Sequence, residues 1–166
     1  MKLTKKIGSI LLVGAMLLSL SACGAKKAKK ASADDFRAKL EEKGYQVADY
    51  TEFVTGEDDV KQALMAEGED GLFTYYVFND SKAASDYFNK GYDQMKEVKN
   101  ADGFKGSLTK SGDKITMNAT YSEDGESESV YAVCINADDM VLTCMANAND
   151  DATVKKIDEI INSLCY

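Results

Sequence analysis

The feature that most constrains the fold is a long segment, residues 103–147, in which apolar and polar residues alternate. Strict alternation over several residues is typical of a β-strand with one buried face. Asp124-Gly125 lies within this segment and is a strong signal for a two-residue hairpin turn. A turn there places Ile115 opposite Cys134, so that both strands direct their apolar residues to the same face. The segment therefore predicts an antiparallel meander of three or four strands.

A second hairpin is predicted at Ala137-Asp138-Asp139-Met140. A three-residue loop would place Cys134 opposite Cys144, close enough for a disulfide, whereas a two-residue loop would place Cys134 opposite Thr143. The sequence leaves both registers open. We predict free thiols, because Cys134 continues an apolar face that already suits a small buried residue.

Three segments have the period and the end signals of helices. The first runs from Ser32 to Lys43 and has a capping-box-like start and Gly44 as its stop. The second runs from Asp80 or Ser81 to about Val98 and has an apolar stripe, which we interpret as core. The stripe consists of Ala84, Phe88, Gly91, Met95 and Val98. The third begins at Asn149 or Asp150 and carries an apolar face to Leu164.

Strands are predicted between the first two helices. Tyr45 to Thr51 alternates, and the aromatic segment Leu72 to Phe78 is typical of a strand buried on both faces. Asp59 to Glu67 suits either a helix or a strand, and we favour the strand because the short link at Gly68–Gly71 suits a hairpin. The order of elements predicts a single α+β domain with an antiparallel sheet and helices packed on one face.

The N-terminus has the three parts of a secretory signal: basic residues, an apolar run from Ile7 to Leu20, and small residues at a cleavage site. Leu20-Ser21-Ala22-Cys23 resembles the bacterial lipobox. That resemblance implies cleavage before Cys23 and a diacylglycerol on its thiol, which anchors the protein to the outer face of the cell membrane. A retained anchor helix is the weaker alternative, since the apolar run is shorter than the roughly 20 residues that span a bilayer.

These boundaries predict a leader at residues 1–22, an acylated lysine-rich tether at 23–30 and an acidic domain at 31–166. Removal of the leader leaves 144 of the 166 residues, enough for one domain with a core. From Ala31 onward, 13 basic residues face 28 acidic ones, a net charge of −15. Such a domain repels nucleic acid and favours solubility and cationic partners, and we expect a monomer.

The whole chain resembles the small uncharacterised cell-surface lipoproteins of Gram-positive bacteria. The resemblance is carried by the lipobox leader, the lysine tether, the aromatic strand, the helix containing Tyr87-Phe88, and the short last helix that ends in Tyr166. It implies no activity, and it transfers one site residue only, the acylated Cys23.

The sequence contains no histidine, which removes the usual base of Ser-His-Asp and Cys-His catalysis and the commonest metal ligand. Four Asp-Asp pairs have positions that a helix start or a hairpin turn explains. They are Asp34-Asp35, Asp58-Asp59, Asp138-Asp139 and Asp150-Asp151. We therefore expect no enzymatic activity, no cofactor and no metal site.

Two groups of residues are candidates for an interaction surface. Four acidic residues cluster at one predicted hairpin tip, namely Glu123, Asp124, Glu126 and Glu128. Tyr92 and Tyr131 fall outside the predicted apolar faces, so we expect them to be exposed. The sequence thus predicts a membrane-anchored binding module for an unknown protein or small ligand. The alternative is an acidic inhibitor or immunity-type protein for a basic secreted partner.

Overall fold

The computed structural model of the protein describes residues 27–54, 59–123, 126–147 and 150–166. Within these ranges the chain forms one antiparallel sheet and four helices in a single domain, so the α+β fold class is confirmed. The sheet has seven strands, in the spatial order β1-β2-β3-β7-β6-β5-β4. The strands are β1 (Gln46–Asp49), β2 (Val60–Gly68), β3 (Gly71–Phe78), β4 (Phe104–Ser111), β5 (Lys114–Glu123), β6 (Glu126–Ala137) and β7 (Met140–Asn147).

The helices are α1 (Ala33–Glu42), α2 (Thr51–Val54), α3 (Ser81–Lys99) and α4 (Asp151–Cys165). The three long helices begin at capping side chains that accept hydrogen bonds from backbone N–H groups of the first turn, as their sequences predict. The caps are Ser32, Asp80 and Asp150. The short helix α2 is not foreseen by the sequence, because four residues are too few to show a period.

The segment from Asp59 to Glu67, for which the sequence allows a helix or a strand, forms strand β2 from Val60 onward, as favoured above. Val60–Gly68 pairs with β3, and Gly68 lies opposite Gly71 across a two-residue turn. The meander has four strands, and its register places Ile115 opposite Cys134, as predicted.

The second hairpin of the meander has a two-residue loop. Ala137 pairs with Met140, and Cys134 therefore lies opposite Thr143. Asp138 adopts the left-handed conformation in this turn, with φ of 56°. Cys134, Cys144 and Cys165 are free and buried.

The helices cover both faces of the sheet, so the prediction that they pack on one face is wrong. Helices α1 and α4 pack on the first face, where Phe36 and Ile157 join the largest buried cluster. Helix α3 packs on the second face, through Ala84 and Phe88. The physical reason is that β6 and β7 are central strands with apolar residues on both sides, and each face must be covered.

The lysine-rich segment before α1 also differs from its prediction. Residues 27–30 were expected to be a solvated tether, but Ala28 is only 6% exposed. The backbone N–H of Lys29 donates to the carbonyl of Cys165 at 2.8 Å, and Lys30 Nζ lies 2.6 Å from Asp139 Oδ1. Residues 28–30 therefore contact the folded domain, and residues 23–26 of the predicted tether lie outside the described residues. No helix in the described ranges is long and apolar enough to cross a membrane.

Candidate functional site

The N-terminal half of helix α3 packs closely on the second face of the sheet. The ring of Tyr87 lies 5.3 Å from that of Tyr76 and 5.2 Å from that of Phe78, centre to centre, on the β3 side of the helix. Phe88 is buried against the strands beneath the helix. This end of the helix is firmly packed, and it fixes the direction in which the rest of α3 runs.

The C-terminal half of α3 leaves a groove between the helix and β7. Met95 is partly buried and packs against the cluster that contains Met117 and Ala132. A cavity of about 400 Å³ opens beside it. The helix contributes Tyr87, Lys90, Gly91, Gln94, Met95 and Val98. The strands contribute Ala132, Val133, Cys134, Thr143, Cys144 and Met145. The volume falls in the range of sites for small ligands.

Two exposed apolar side chains stand at the outer end of this groove. Val98 is 51% exposed on the helix, and Met145 is 57% exposed on β7. The sequence assigns Val98 to a core stripe, and that prediction is wrong for the last turns of α3. No second helix lies beside α3 in the described part of the chain, so the stripe continues past the residues that can bury it.

The groove is apolar at the end near Val98 and polar at the end near Lys90. Lys90 is the single charged residue in its described lining. Lys90 and Val98 lie two turns apart on the helix, about 12 Å along its axis at 1.5 Å per residue. On the strand side, the hydroxyl of Thr143 hydrogen-bonds that of Thr74. A bound molecule would thus meet an ammonium group at one end and thioether and aliphatic groups at the other.

Cys134 lies at the floor of the groove, but its thiol has low reactivity. Burial raises the pKa of its thiol to about 12. The thiol is therefore protonated near neutral pH, and a protonated thiol is a poor nucleophile. It contributes a small apolar contact rather than a reactive group.

A second cavity lies at the β1 edge of the sheet and is larger, at about 680 Å³. Its lining includes the charged residues Asp49, Glu52 and Lys61. The groove beside α3 is the better site for an apolar ligand, because its lining is continuous and mostly uncharged.

The predicted acidic tip falls largely outside the described structure. Cys23 and Asp124 lie outside the described residues, and for Glu123 and Glu126 only the backbone is described, as a pair that ends the β5–β6 ladder. Glu128 is exposed on β6.

The two tyrosines expected at the surface have different positions. Tyr131 is 4% exposed, so its predicted exposure is wrong. It lies on the first face of the sheet, under α4, whereas Tyr92 is partly buried on α3. The ammonium groups of Lys96 and Lys110 lie 5.0 and 4.9 Å from the centre of the Tyr92 ring. The predicted site residues therefore do not form one surface.

Three of the Asp-Asp pairs have the structural positions that their sequence context predicts, whereas Asp59 lies in the turn before strand β2 and not at a helix start. Asp34 and Asp35 lie in the first turn of α1, and Asp150 is the N-cap of α4. Asp58 is outside the described residues, and Asp59 Oδ1 accepts a hydrogen bond from Asn79 at 3.1 Å. Among the described residues, no group of three or more cysteine and acidic side chains is placed to hold a metal ion.

No protein-family model matches the chain, and no curated protein matches it. Among solved structures, the chain is similar to the crystal structure of LpqN, involved in cell envelope biogenesis of Mycobacterium tuberculosis. The sequence identity is 16% and the TM-score 0.35, over 82% of this chain and 96% of that one. At this level of similarity, the role of LpqN does not transfer to this chain.

Proposed function

We propose that this protein is a lipid-anchored binding module on the outer face of the cell membrane, and that the groove beside α3 holds its ligand. The observation that carries the proposal is the apolar groove itself, a cavity of about 400 Å³ flanked by the exposed side chains of Val98 and Met145. Methionine side chains are flexible and polarisable, so Met95 and Met145 can adapt to an alkyl chain.

The ligand that fits this groove best is a small amphiphile with an anionic head. Its alkyl chain would lie against Met95, Val98 and Met145, and its head would face Lys90. An anionic head is preferred there over a cationic one because Lys90 carries the single charge of the described lining. This contrasts with the rest of the domain, whose net charge of −15 from residue 31 onward repels anions.

Gly91 allows the groove to be filled without damage to the fold. A Cβ added at Gly91 meets no atom within 4 Å, and this glycine does not need a left-handed backbone. Gly91→Leu places a branched side chain in the groove and also improves helix propensity by roughly 1 kcal/mol. Gly91→Ala gives nearly the same gain in propensity with little filling, so it is the matched control.

The test is calorimetric titration of the domain with dodecanoate, kept below the concentration at which it forms micelles. We expect the domain and Gly91→Ala to bind dodecanoate and Gly91→Leu to lose most of the affinity. Thermal melting of each variant shows whether the fold is intact. Equal affinity of Gly91→Leu and Gly91→Ala, or no binding by the unaltered domain, contradicts the proposal.

The charge preference has its own pair of variants. Lys90→Glu reverses the charge in the groove. Lys105→Glu makes the same change at an exposed position on β4, outside the groove, and is the control. We expect Lys90→Glu alone to weaken dodecanoate binding and to leave dodecanol binding nearly unchanged. If both variants bind dodecanoate alike, the head of the ligand does not meet Lys90.

The membrane anchor is tested separately. Mass spectrometry of the membrane fraction should find Cys23 at the N-terminus with a diacylglycerol on its thiol. An intact precursor with a free thiol at Cys23 would contradict this. Changing Cys23 to Ala should leave the protein as an uncleaved precursor.

The alternative of an acidic inhibitor of a basic secreted partner rests on the net charge of the domain. Of the predicted acidic tip, the structure describes one side chain, that of Glu128, which is exposed. This alternative predicts affinity for a protein partner that falls steeply as salt is raised. The groove proposal predicts a weak salt dependence with dodecanol, so the two are distinguishable. Neither proposal requires enzymatic activity, a cofactor or nucleic acid.

A further inference from the structure

Residues 27–31 form a strap that ties the N-terminal side of the chain to one end of the fold. The backbone N–H of Ala28 donates to Asp113 Oδ2 at 2.6 Å, and the hydroxyl of Tyr75 donates to the carbonyl of Ala31 at 3.0 Å. The strap also contacts Cys165 and Asp139, as described above.

The strap contacts place Ala28, a buried residue five positions after Cys23 in the sequence, at one end of the fold. Asp113 lies in the turn between β4 and β5, Asp139 in the turn between β6 and β7, and Cys165 at the C-terminus of α4. All three positions are at the same end of the sheet, here named the strap end. Four residues separate Cys23 from Ala28, so an extended chain between them reaches at most about 17 Å.

The most exposed large apolar side chain described in the protein lies toward the same end. Phe53, in α2, is 85% exposed. Strand β1 runs from Gln46, opposite Glu67, to Asp49, opposite Leu64, so α2 follows on the side where β2 begins. The first residue of β2, Val60, pairs with Phe78, whose N–H donates to the carbonyl of Asp139. Phe53 therefore lies near the strap end, at the β1 edge of the sheet.

The lateral distance also suits a shared surface. Strand β2 is two strands away from β7, whose turn holds the strap, and adjacent strands lie about 4.8 Å apart. The strap and Phe53 are thus within reach of one flat surface. The exposed ring of Phe53 buries little apolar surface within the domain. Aromatic side chains are favoured at the boundary between lipid headgroups and acyl chains.

We propose that the strap end of the domain faces the bilayer and that Phe53 inserts into the headgroup boundary beside the lipid anchor. The proposal rests on the acylation of Cys23 proposed above. Lys27 and Lys29, which are exposed, lie on the same side and are attracted by anionic headgroups.

One consequence concerns the groove beside α3. Helix α3 begins after Phe78 at the strap end and runs away from it, so Val98 lies at the opposite end. On β7, Met140 is at the strap end, and Met145 is further from it. The outer end of the groove therefore opens away from the membrane, where it can receive a ligand that does not come from the bilayer beneath it.

The sequence offers a clean optical test because the chain contains no tryptophan. Phe53→Trp places a single indole at the proposed insertion point, and Asp102→Trp places one in the turn between α3 and β4, at the end of the fold opposite the strap. Both positions are exposed, so neither variant disturbs the core. The acylated proteins are reconstituted in phosphatidylglycerol vesicles, with either ordinary or brominated acyl chains, and tryptophan emission is recorded.

We expect the emission of Phe53→Trp to shift to the blue in vesicles and to lose most of its intensity with brominated lipid. Asp102→Trp should show neither change. Absence of quenching for Phe53→Trp in protein that floats with the vesicles overturns the orientation and leaves the anchor intact. Equal quenching of both variants overturns it as well. If the protein does not float with the vesicles at all, the anchor fails, and the orientation falls with it.

Discussion

The hydroxyl of Tyr131 donates a hydrogen bond of 2.8 Å to Asp158 Oδ1, and this contact joins the centre of the sheet to α4. The same carboxylate oxygen lies 3.4 Å from Lys114 Nζ on β5. Burial and the negative charge of Asp158 raise the pKa of the Tyr131 hydroxyl. The tyrosine is therefore a neutral donor at neutral pH, and it attaches α4 to β6 at a position where the side chain is almost fully buried.

Removal of this hydroxyl should weaken the domain. We expect Tyr131→Phe to lower the free energy of unfolding by about 1–2 kcal/mol, since a hydrogen bond to a charged group is lost while Asp158 keeps Lys114. Tyr92→Phe makes the same change at a partly buried position on α3 and should cost less than about 0.5 kcal/mol. Urea unfolding of both variants measures the difference. Equal stability of the two would show that the Tyr131 hydrogen bond contributes nothing net.

Tyr131 also shows which parts of the fold the sequence predicts and which it does not. The alternation in β5 and β6 predicts the register residue by residue, because a slip by one residue would turn every side chain to the wrong face. The same alternation misplaces Tyr131, because β6 lies in the middle of the sheet and helices cover both of its faces. Which strands are central depends on the insertion of β7 between β3 and β6, a long-range pairing that no local pattern records.

The groove is missed for a related reason. The stripe that includes Met95 and Val98 has the period of a core-facing helix, and the sequence cannot show that a second helix is absent beside it. Its one local signal is Gly91, a residue without a side chain within an otherwise regular stripe. On the opposite face, α1 and α4 lie together over the sheet, and their apolar residues join one buried cluster.

Alkaline pH should destabilise the domain over a defined range. Burial, the largest cause, raises the pKa of Tyr45, Tyr75 and Tyr166 from the ordinary value of 10 to about 12. The folded state thus prefers the neutral hydroxyl more than the unfolded state does, and the stabilisation is complete below pH 10. It is lost as the pH rises through about 12.

The measurement is the free energy of unfolding in urea, at constant ionic strength, from pH 8 upward in small steps. A stability that stays level from about pH 10 to 12 would contradict the raised pKa values.

The strap should behave as part of the folded domain. Ala28→Asp buries a carboxylate next to Asp113, and we expect a loss of about 2–3 kcal/mol in the free energy of unfolding. Ala101→Asp makes the same substitution at an exposed position after α3 and should change stability by less than about 0.5 kcal/mol. If the two variants melt alike, residues 27–30 are the solvated tether that the sequence predicts, and the strap does not orient the domain.

The three buried thiols give a final, position-specific test of the fold. Cys134 lies on the α3 face and Cys144 on the face covered by α1 and α4, so the sheet itself stands between them. Burial raises the pKa of all three thiols to about 12, and only the thiolate reacts readily. In protein that begins at Gly24, we expect negligible labelling of the native state near neutral pH and three reactive thiols after denaturation without reductant.

The order of labelling should report where the domain opens. Lys29 covers the end of α4 through its bond to the Cys165 carbonyl, so Ala28→Asp should expose Cys165 to a thiol reagent before the two strand cysteines. Peptide mapping after brief labelling of the native variant identifies the modified residue. Recovery of one reactive thiol in the denatured, unaltered protein would show that a disulfide had formed, and the two-residue loop at Asp138-Asp139 would then be incompatible with the protein in solution. Simultaneous labelling of all three in Ala28→Asp would instead mean that the strap supports the whole domain rather than the end of α4.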